Sequence, residues 1–416
     1  MAIFSLLLLL VAIVLGFVRK MNTGLLAFAF ALLLGKLAGI PDKEIIKGFN
    51  YSLFIMLLGV TYLFSLAQMN GCLELLAKKV VAMAGKRTWL IPIIIYLFST
   101  VLAAIGPGTV PTMAIMMVFS MALAAEMGIN PAMLSALSVL GAAGGGVSPL
   151  ASTGIIGINL CAGFGVTGTE IPFLVNGVLS STVYGTIVYL ICGGYKLHSD
   201  KETNLKDLPD FNSRQLTTLV GIVIMVFMVM ILKINVGLTA FAVAAVLSFL
   251  RVADETKAIL RIPWGTLLLI TGVGVLMNLI IKLGGIALLA DILASVMTEK
   301  TAMTVMGLTA GIMSWFSSTS GVVMPTLLPV IPDIMARLGS GINPIEMATG
   351  ITMMSNTAGI SPLSTGGALA LAAYSSAANA DSERQQKLFL QMFGISALGV
   401  VSLAIFAYFG LYRWLL

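Results

Sequence analysis

The chain has 416 residues, of which 59% are hydrophobic and 10% charged, and a formal net charge of +6. That balance excludes an ordinary soluble domain. The basic excess fits the lysine and arginine bias of cytoplasmic membrane loops better than nucleic-acid binding.

Apolar runs of about 18 residues or more recur along the chain, as in polytopic helical membrane proteins. The first run lacks a basic leader and an Ala-x-Ala site, so it is expected to be a span rather than a removable signal. Spans are expected over residues 3–18, 24–40 and 51–69. Residues 73–84 mix Leu75, Leu76, Val80 and Val81 with Glu74, Lys78 and Lys79, the pattern of a helix lying at the interface. Residues 88–125 are broken in the middle at Gly106-Pro107-Gly108-Thr109-Val110-Pro111. Residues 132–164 contain a different break, Gly144-Gly145-Gly146-Val147-Ser148-Pro149-Leu150-Ala151-Ser152-Thr153-Gly154, and residues 173–197 complete a first half.

A polar linker follows at residues 195–215, with Lys196, His198, Asp200, Lys201, Glu202, Lys206, Asp207, Asp210 and Arg214. It is expected outside the membrane. Beyond it the order repeats: spans near 216–232, 238–250 and 263–281, a surface stretch at 287–298, a broken segment at 302–336, a broken span at 347–378 and a last span at 388–411. The break in 347–378 is Met354-Ser355-Asn356-Thr357-Ala358-Gly359-Ile360-Ser361-Pro362-Leu363-Ser364-Thr365-Gly366-Gly367, which shares Gly-(Val/Ile)-Ser-Pro-Leu with its upstream twin.

The two halves align at one constant offset. Gly24, Gly59, Gly71 and Gly146 answer Gly237, Gly272, Gly284 and Gly359, and Gly128-Ile-Asn-Pro131 answers Gly341-Ile-Asn-Pro344, every pair 213 residues apart. Chance likeness of apolar helices does not hold one offset across five segments, so the chain is read as a duplication. The units are residues 1–194, a cytoplasmic linker 195–215, and residues 216–416.

Segments 88–125 and 302–336 have two readings, a pair of full spans or a re-entrant hairpin. Their tips, Gly106 to Thr112 and Ser317-Ser318-Thr319-Ser320-Gly321, carry no charge. Uncharged irregular backbone at membrane depth belongs where it lines a cavity or is buried in protein, which favours hairpins. Each half then crosses an odd number of times and the second half is inverted. With the N-terminus outside, fifteen of the 23 basic residues fall inside and eight outside, the sense of the positive-inside rule. The expected fold is an all-α polytopic membrane protein. It has an inverted-topology repeat of two halves, each with five transmembrane spans (one broken) and one re-entrant helical hairpin. The expected location is the cell (inner) membrane, multi-pass, with both termini outside.

Little here points to catalysis. His198 is the only histidine and lies in the linker, no His-Glu-x-x-His occurs, and no general base accompanies the serines of the breaks. Cys72, Cys161 and Cys192 have neither metal-ligand spacing nor an even count for a disulfide framework. No cofactor is expected.

The breaks suit a carrier instead. Glycine and proline interrupt a helix, freeing carbonyls at one end for a cation and N–H groups at the other for a carboxylate. Candidate substrate ligands are Thr109, Thr112, Ser152, Thr153, Ser318, Thr319, Ser320, Ser364 and Thr365. Candidate ion ligands are Gly108, Gly145, Gly146, Ser148, Ser317, Ser355, Asn356, Thr357 and Ser361. Isolated hydroxyls such as Ser180 and Ser181 read as helix-packing groups. Carboxylates are scarce: Glu126, Asp333 and Glu346 sit near span or hairpin ends. Proton relays use buried acids or histidines, so the coupling ion is expected to be sodium.

A family resemblance rests on particular residues. Phe49-Asn50-Tyr51-Ser52-Leu53-Phe54, Leu57-Leu58-Gly59-Val60-Thr61, Ala67-Gln68-Met69-Asn70-Gly71, Ala104-Ile105-Gly106-Pro107-Gly108 and Ser148-Pro149 resemble the N-terminal region of bacterial malonate/dicarboxylate carriers. The whole chain resembles the wider ion-transporter superfamily that includes the divalent-anion:sodium symporters. That resemblance implies a homodimer with a scaffold domain and a moving transport domain working as an elevator. The symporters carry Ser-Asn-Thr at both hairpin tips, whereas here Ser355-Asn356-Thr357 lies in a broken span. Ser148-Pro149 and Ser361-Pro362 resemble the symporters' Thr-Pro pattern, with Ser152 and Thr365 at the following hydroxyl position.

The expected function is a secondary carrier for a small organic anion, malonate or a C4-dicarboxylate, in symport with sodium. Alternatives are a proton-coupled uptake system, a gluconate-type monocarboxylate carrier, an ion antiporter and, last, an intramembrane enzyme. Partners are the anion, sodium, the lipid bilayer and a second copy of the chain, with no nucleic acid.

Overall fold

The structure, a computed structural model, describes residues 1–19, 21–85, 87–197, 208–339, 341–378, 382–410 and 412. His198, Asp200, Lys201, Glu202, Lys206 and Asp207 of the linker lie outside the described residues, as do Lys20, Lys86 and Arg413. Among the described residues the regular secondary structure is helical.

The first half runs through α1 (Ala2–Arg19), α2 (Thr23–Leu37), α3 (Asp42–Ile46), α4 (Tyr51–Met69), α5 (Cys72–Ala82), α6 (Ile91–Ala104), α7 (Thr109–Met127), α8 (Pro131–Gly145), α9 (Ser152–Gly163) and α10 (Glu170–Ile191). The second runs through α11 (Ser213–Met230), α12 (Val236–Phe249), α13 (Glu255–Arg261), α14 (Trp264–Lys282), α15 (Gly285–Ala294), α16 (Ala302–Phe316), α17 (Met324–Leu327), α18 (Ile331–Leu338), α19 (Pro344–Ala358), α20 (Thr365–Ala378) and α21 (Ser382–Tyr408). Starts of α2, α3, α4, α5, α8 and α9 recur 213 residues later as starts of α12, α13, α14, α15, α19 and α20. The short helices α3 and α13 are additions to the sequence reading.

Local chemistry explains the shared boundaries. Asn22 and Asn235 cap α2 and α12, their side chains accepting from the Gly24 and Gly237 amides at 2.9 and 3.0 Å. Asn130 and Asn343 cap α8 and α19 in the same way, each followed by proline at the first helical position. The halves differ in one leg. Pro325, Pro329 and Pro332 each remove an N–H, so the counterpart of the continuous α7 is a π turn, α17, a 3-10 turn and α18 in succession.

Helices α2 and α14 pack together, as do α12 and α4. Both crossings are closed by glycine. A Cβ on Gly24 would lie 2.1 Å from the Leu268 carbonyl oxygen, and one on Gly272 would lie 2.1 Å from that of Gly24. At the other crossing a Cβ on Gly59 would lie 2.3 Å from the Gly237 carbonyl oxygen, and one on Gly237 would lie 2.5 Å from Met56 Cα. The same two repeated glycines therefore pair reciprocally at both crossings. Beside this frame, α8 packs between α6 and α10, and α19 between α16 and α21. The two sets of partners match under the repeat. Helix α20 lies along α7, while α9 lies against α4 and the π turn–α17–3-10 leg, so each broken span meets the other half's interrupted segment.

Six helical segments are long and apolar enough to cross a membrane among the described residues: Tyr51–Met69, Thr109–Met127, Glu170–Ile191, Trp264–Lys282, Thr319–Leu338 and Glu383–Tyr408. Shorter apolar helices accompany them, including α6, α8, α9 and α16.

Candidate functional site

The two broken spans share one turn. Between α8 and α9, Ser148 Oγ accepts from the Leu150 amide at 3.2 Å, Ala151 N donates to Ser148 O at 3.0 Å, and Gly154 N donates to Gly146 O at 2.9 Å. Between α19 and α20, Ser361 Oγ accepts from Leu363 N at 3.2 Å, Ser364 N donates to Ser361 O at 2.9 Å, and Gly367 N donates to Gly359 O at 3.1 Å. Pro149 and Pro362 contribute no N–H, and the serine hydroxyl takes over an amide that the helix drops. Ser148 and Ser361 are both buried, and each shapes its turn.

The first interrupted segment meets the first break. Gly106 and Gly108 take φ values of 151° and 78°, backbone that only glycine adopts without strain. Thr109 Oγ1 then lies 3.0 Å from Thr153 Oγ1, and the Ser152 hydroxyl faces the Pro107 carbonyl at 3.5 Å. A Cβ on Gly108 would lie 2.2 Å from Ser152 Oγ, and one on Gly146 would lie 2.2 Å from Thr109 Oγ1. Gly145 presses on α6, where its Cβ would lie 1.9 Å from the Thr100 carbonyl oxygen. Gly108, Thr109, Gly146, Ser152 and Thr153 are thus brought together.

The second tip is built differently. Ser317 Oγ donates back to Met313 O at 2.7 Å, and Ser318 Oγ accepts from Gly321 N at 3.2 Å. Val323 N donates to Ser318 O at 3.0 Å, the i+5 bond of a π turn; such turns cluster at functional sites. Ser314 Oγ donates to Ser355 O at 2.7 Å and lies 3.0 Å from Thr319 Oγ1, tying this tip to α19 just before the second break. The sequence reading missed Ser314, which is one turn before the tip and had no motif to mark it.

One narrow cleft gathers these parts. It is lined by Val110 and Pro111 of the first tip, Ser152 and Thr153 of the first break, Ser320 of the second tip, and Thr61, Leu267 and Thr266 of α4 and α14. Its lining carries no charged side chain. Residues of the first turns of α7 and α9 line it. Its free volume, about 20 Å³, admits one or two water-sized guests. Thr61 entered the sequence reading only within the family motif, with no site role, and Thr266 not at all; both line the cleft because the tips come to rest on α4 and α14.

Other expected residues lie apart from the cleft. Thr365 is exposed and Ser364 half-buried, while Ser355, Asn356 and Thr357 are buried in the last turn of α19. Thr112 Oγ1, Asn356 Nδ2 and Thr357 Oγ1 are buried without a hydrogen-bond partner. Buried polar atoms are rarely left unpaired, and these three share that state with others such as Ser99, Thr169 and Asn176, outside both breaks. Larger cavities sit at the starts of α19, beside Glu299, Lys300 and Glu346, and of α8, beside Glu126 and Arg384. Neither reaches the tips.

Residues 1–146 match the family model for the N-terminus of the dicarboxylate carrier protein MatC. The resemblance read from the sequence is shown over this region. The matched region spans α1 to α8, so it includes the first tip and stops at the first break. A comparison of the sequence with curated proteins gives no match. Among solved structures, the Alcanivorax borkumensis YdaH transporter is similar at 13% identity with a TM-score of 0.60, covering 88% of this chain and 86% of that one. Neisseria gonorrhoeae MtrF, described within a class of antimetabolite efflux pumps, is similar at 13% identity with a TM-score of 0.57, covering 90% of this chain and 84% of that one. These likenesses show a shared fold. With the carrier-family region and the apolar helices they support a multi-pass membrane transporter.

Proposed function

We propose that the chain is a secondary carrier for a small organic dianion, malonate or a C4-dicarboxylate, in symport with sodium across the cell membrane. The observation that carries this reading is the cleft, where two tips and a helix break converge at the N-terminal ends of α7 and α9, whose backbone amides accompany the hydroxyls of Thr61, Ser152, Thr153, Thr266 and Ser320 in an otherwise apolar, uncharged lining. Carboxylates are held well by such amides. With no lysine or arginine in the lining, the charge of a desolvated dianion needs a co-bound cation. The carbonyls freed at the two breaks, with the unpaired Thr357 hydroxyl at the second, suit sodium.

The cleft is too small for a four-carbon acid as it stands, so transport requires the helices around it to part and close. An elevator movement fits the glycine-locked frame of α2, α4, α12 and α14 standing beside the helices that carry the breaks. We further propose that residues 1–194 and 216–416 are inverted repeats joined by a cytoplasmic linker, with both termini outside, segments 88–125 and 302–336 as hairpins, and the protein a homodimer.

Purified protein in proteoliposomes tests the reading. Labelled malonate or succinate should accumulate under an inward sodium gradient and not under a potassium gradient of the same size. Absence of flux for every organic acid under sodium, proton and potassium gradients would remove the carrier reading. Flux driven by protons alone would keep the carrier and remove sodium.

A further inference from the structure

The side chain of Ser181, on α10, is fully buried and its hydroxyl has no hydrogen-bond partner. It lies against the end of α8, where a Cβ on Gly144 would be 3.0 Å from Ser181 Oγ. The second half has a similar joint with the sides exchanged, though at another register on α21, since the residue 213 places after Ser181 is Gly394, where a Cβ would meet nothing within 4 Å. Thr357, the residue 213 places after Gly144, has a fully buried and unpartnered hydroxyl of its own. It lies against a glycine of the neighbouring helix, Gly399 of α21, whose Cβ would be 2.6 Å from Thr357 Cγ2. Each broken span therefore ends beside one unpaired buried hydroxyl. At the second break the broken helix supplies it, and at the first the helix next door does.

Close packing does not account for this. Alanine fills the same place against a glycine without burying an unpaired hydroxyl, which is unfavourable in an apolar setting. Serine in a helix usually donates to the carbonyl one turn back, as Ser180 Oγ does to Asn176 O at 2.6 Å. Ser181 does not. The Gly144 carbonyl, whose oxygen lies 3.3 Å from where a Cβ on Gly177 would stand one turn before Ser181, is passed over by the turn, because Gly146 N donates to Ala142 O and Ser148 N to Gly145 O. A neutral hydroxyl and a freed carbonyl at the C-terminal end of a helix favour a cation over an anion.

We propose that Ser181 is a ligand of the coupling cation at the first break, the counterpart of Thr357 at the second. This inference rests on the cation-coupled reading above and adds a residue from outside both breaks.

The test is a sodium titration of the full-length purified protein in detergent, following the thermal midpoint with choline as the control salt. Wild type should be stabilised by sodium. Ser181→Ala should need about tenfold more sodium or higher for half of the effect. Its midpoint in choline should stay near that of wild type. The double variant Gly144→Ser/Ser181→Gly, which moves the hydroxyl onto the broken helix as in the second half, should restore most of the response. Ser181→Cys, nearly isosteric but with a soft sulfur that a hard cation disfavours, should behave like the alanine variant and covers the case in which alanine disturbs folding. Equal sodium response in wild type, Ser181→Ala and Ser181→Cys would overturn the inference and leave the carrier reading standing. No sodium response in wild type would overturn the inference together with the sodium coupling on which it rests, and leave the carrier to be tested by flux.

Discussion

The hydroxyls of Thr109 and Thr153 lie 3.0 Å apart and join the first turn of α7 to the first turn of α9. Their repeat partners are Val322 and Gly366, so this polar joint exists in the first half alone. The two halves share most helix starts at the 213-residue offset and differ in chemistry here, and the cleft uses the polar half. Thr153→Val keeps the volume and removes the hydrogen bond. It should weaken substrate binding by about 1 kcal/mol, roughly fivefold in Kd. A competition series of malonate against labelled substrate measures this. Unchanged Kd with normal expression would show that the joint is structural.

Thr365 stands at the hydroxyl position after the second Ser-Pro turn, the counterpart of Ser152. Ser152 lines the cleft, and Thr365 is exposed beside α7. Ser152→Ala should therefore cost about 1–3 kcal/mol of substrate binding, the range for a hydrogen bond to a charged group, and Thr365→Ala at most about 1 kcal/mol. Binding by isothermal calorimetry in saturating sodium separates them. The reverse order would place the substrate at the second break.

The glycine crossings set the stiffness of the frame. In α14, Gly272 faces the α2 backbone, while a Cβ on Gly274 meets nothing within 4 Å. Gly272→Ala should lower stability by about 1–3 kcal/mol, the usual cost of overpacking. Gly274→Ala should be neutral or gain up to about 1 kcal/mol from helix propensity. Thermal midpoints in one detergent test the contrast, and equal effects at both sites would mean that the crossing yields.

These predictions rest on features of unequal legibility. The breaks, most helix ends and the recurrence of helix starts at one offset were readable, because glycine, proline and asparagine act locally. Residues 51–69 were read as a span and form α4 over the same bounds. Helices α3 and α13 were missed since five to seven residues hold too little periodicity to stand out. The contacts of the site were less readable. Ser314, Thr61 and Thr266 count only through what folds onto them. Ser181 was set aside as an isolated packing serine, because its hydroxyl sits across the helix pair from the place the repeat would put it. No local signal separated Ser152 from Thr365. Their surroundings differ because α9 packs on α4 and α20 packs on α7.

One ion pair should give the fold a dependence on pH. Arg337, at the end of α18, donates from Nε to Asp291 Oδ1 of α15 at 2.5 Å and from Nη2 to Ala287 O at 3.1 Å. The hydrogen bond from Arg337 holds the Asp291 carboxyl below its ordinary range. A depressed folded value means that this stabilisation is fully present above the unfolded carboxylate value, about 4. It is lost as pH falls through the lower folded value. The pair is solvent-exposed and so screened by salt. Asp291→Asn should lower the thermal midpoint slightly at pH 7 and low salt, and the difference should vanish in acid and in about 1 M salt. A difference that persists in acid would mean that packing of α15, and not charge, is what the substitution disturbs.

The inverted arrangement makes the sharpest demand on the chain. Lys43 in α3 and Thr256 in α13 are repeat partners 213 residues apart, and both are exposed. In a parallel duplication they would face the same side of the membrane. In an inverted one they must face opposite sides, Lys43 outside and Thr256 inside. Single cysteines at these positions test it, in a background where Cys72, Cys161 and Cys192 are replaced. Cys72 and Cys161 are buried, which favours their tolerating small apolar replacements. A membrane-impermeant maleimide applied to intact cells should label Lys43→Cys and spare Thr256→Cys, and inside-out vesicles should show the opposite. The outcome turns on the number of crossings between the two sites. If segment 88–125, the one interrupted segment between the two sites, entered and left on one side or crossed twice, the count stays odd and the prediction holds. Labelling of both sites from the same side would require one half to gain or lose a crossing, and the two-fold relation between the breaks would then fail.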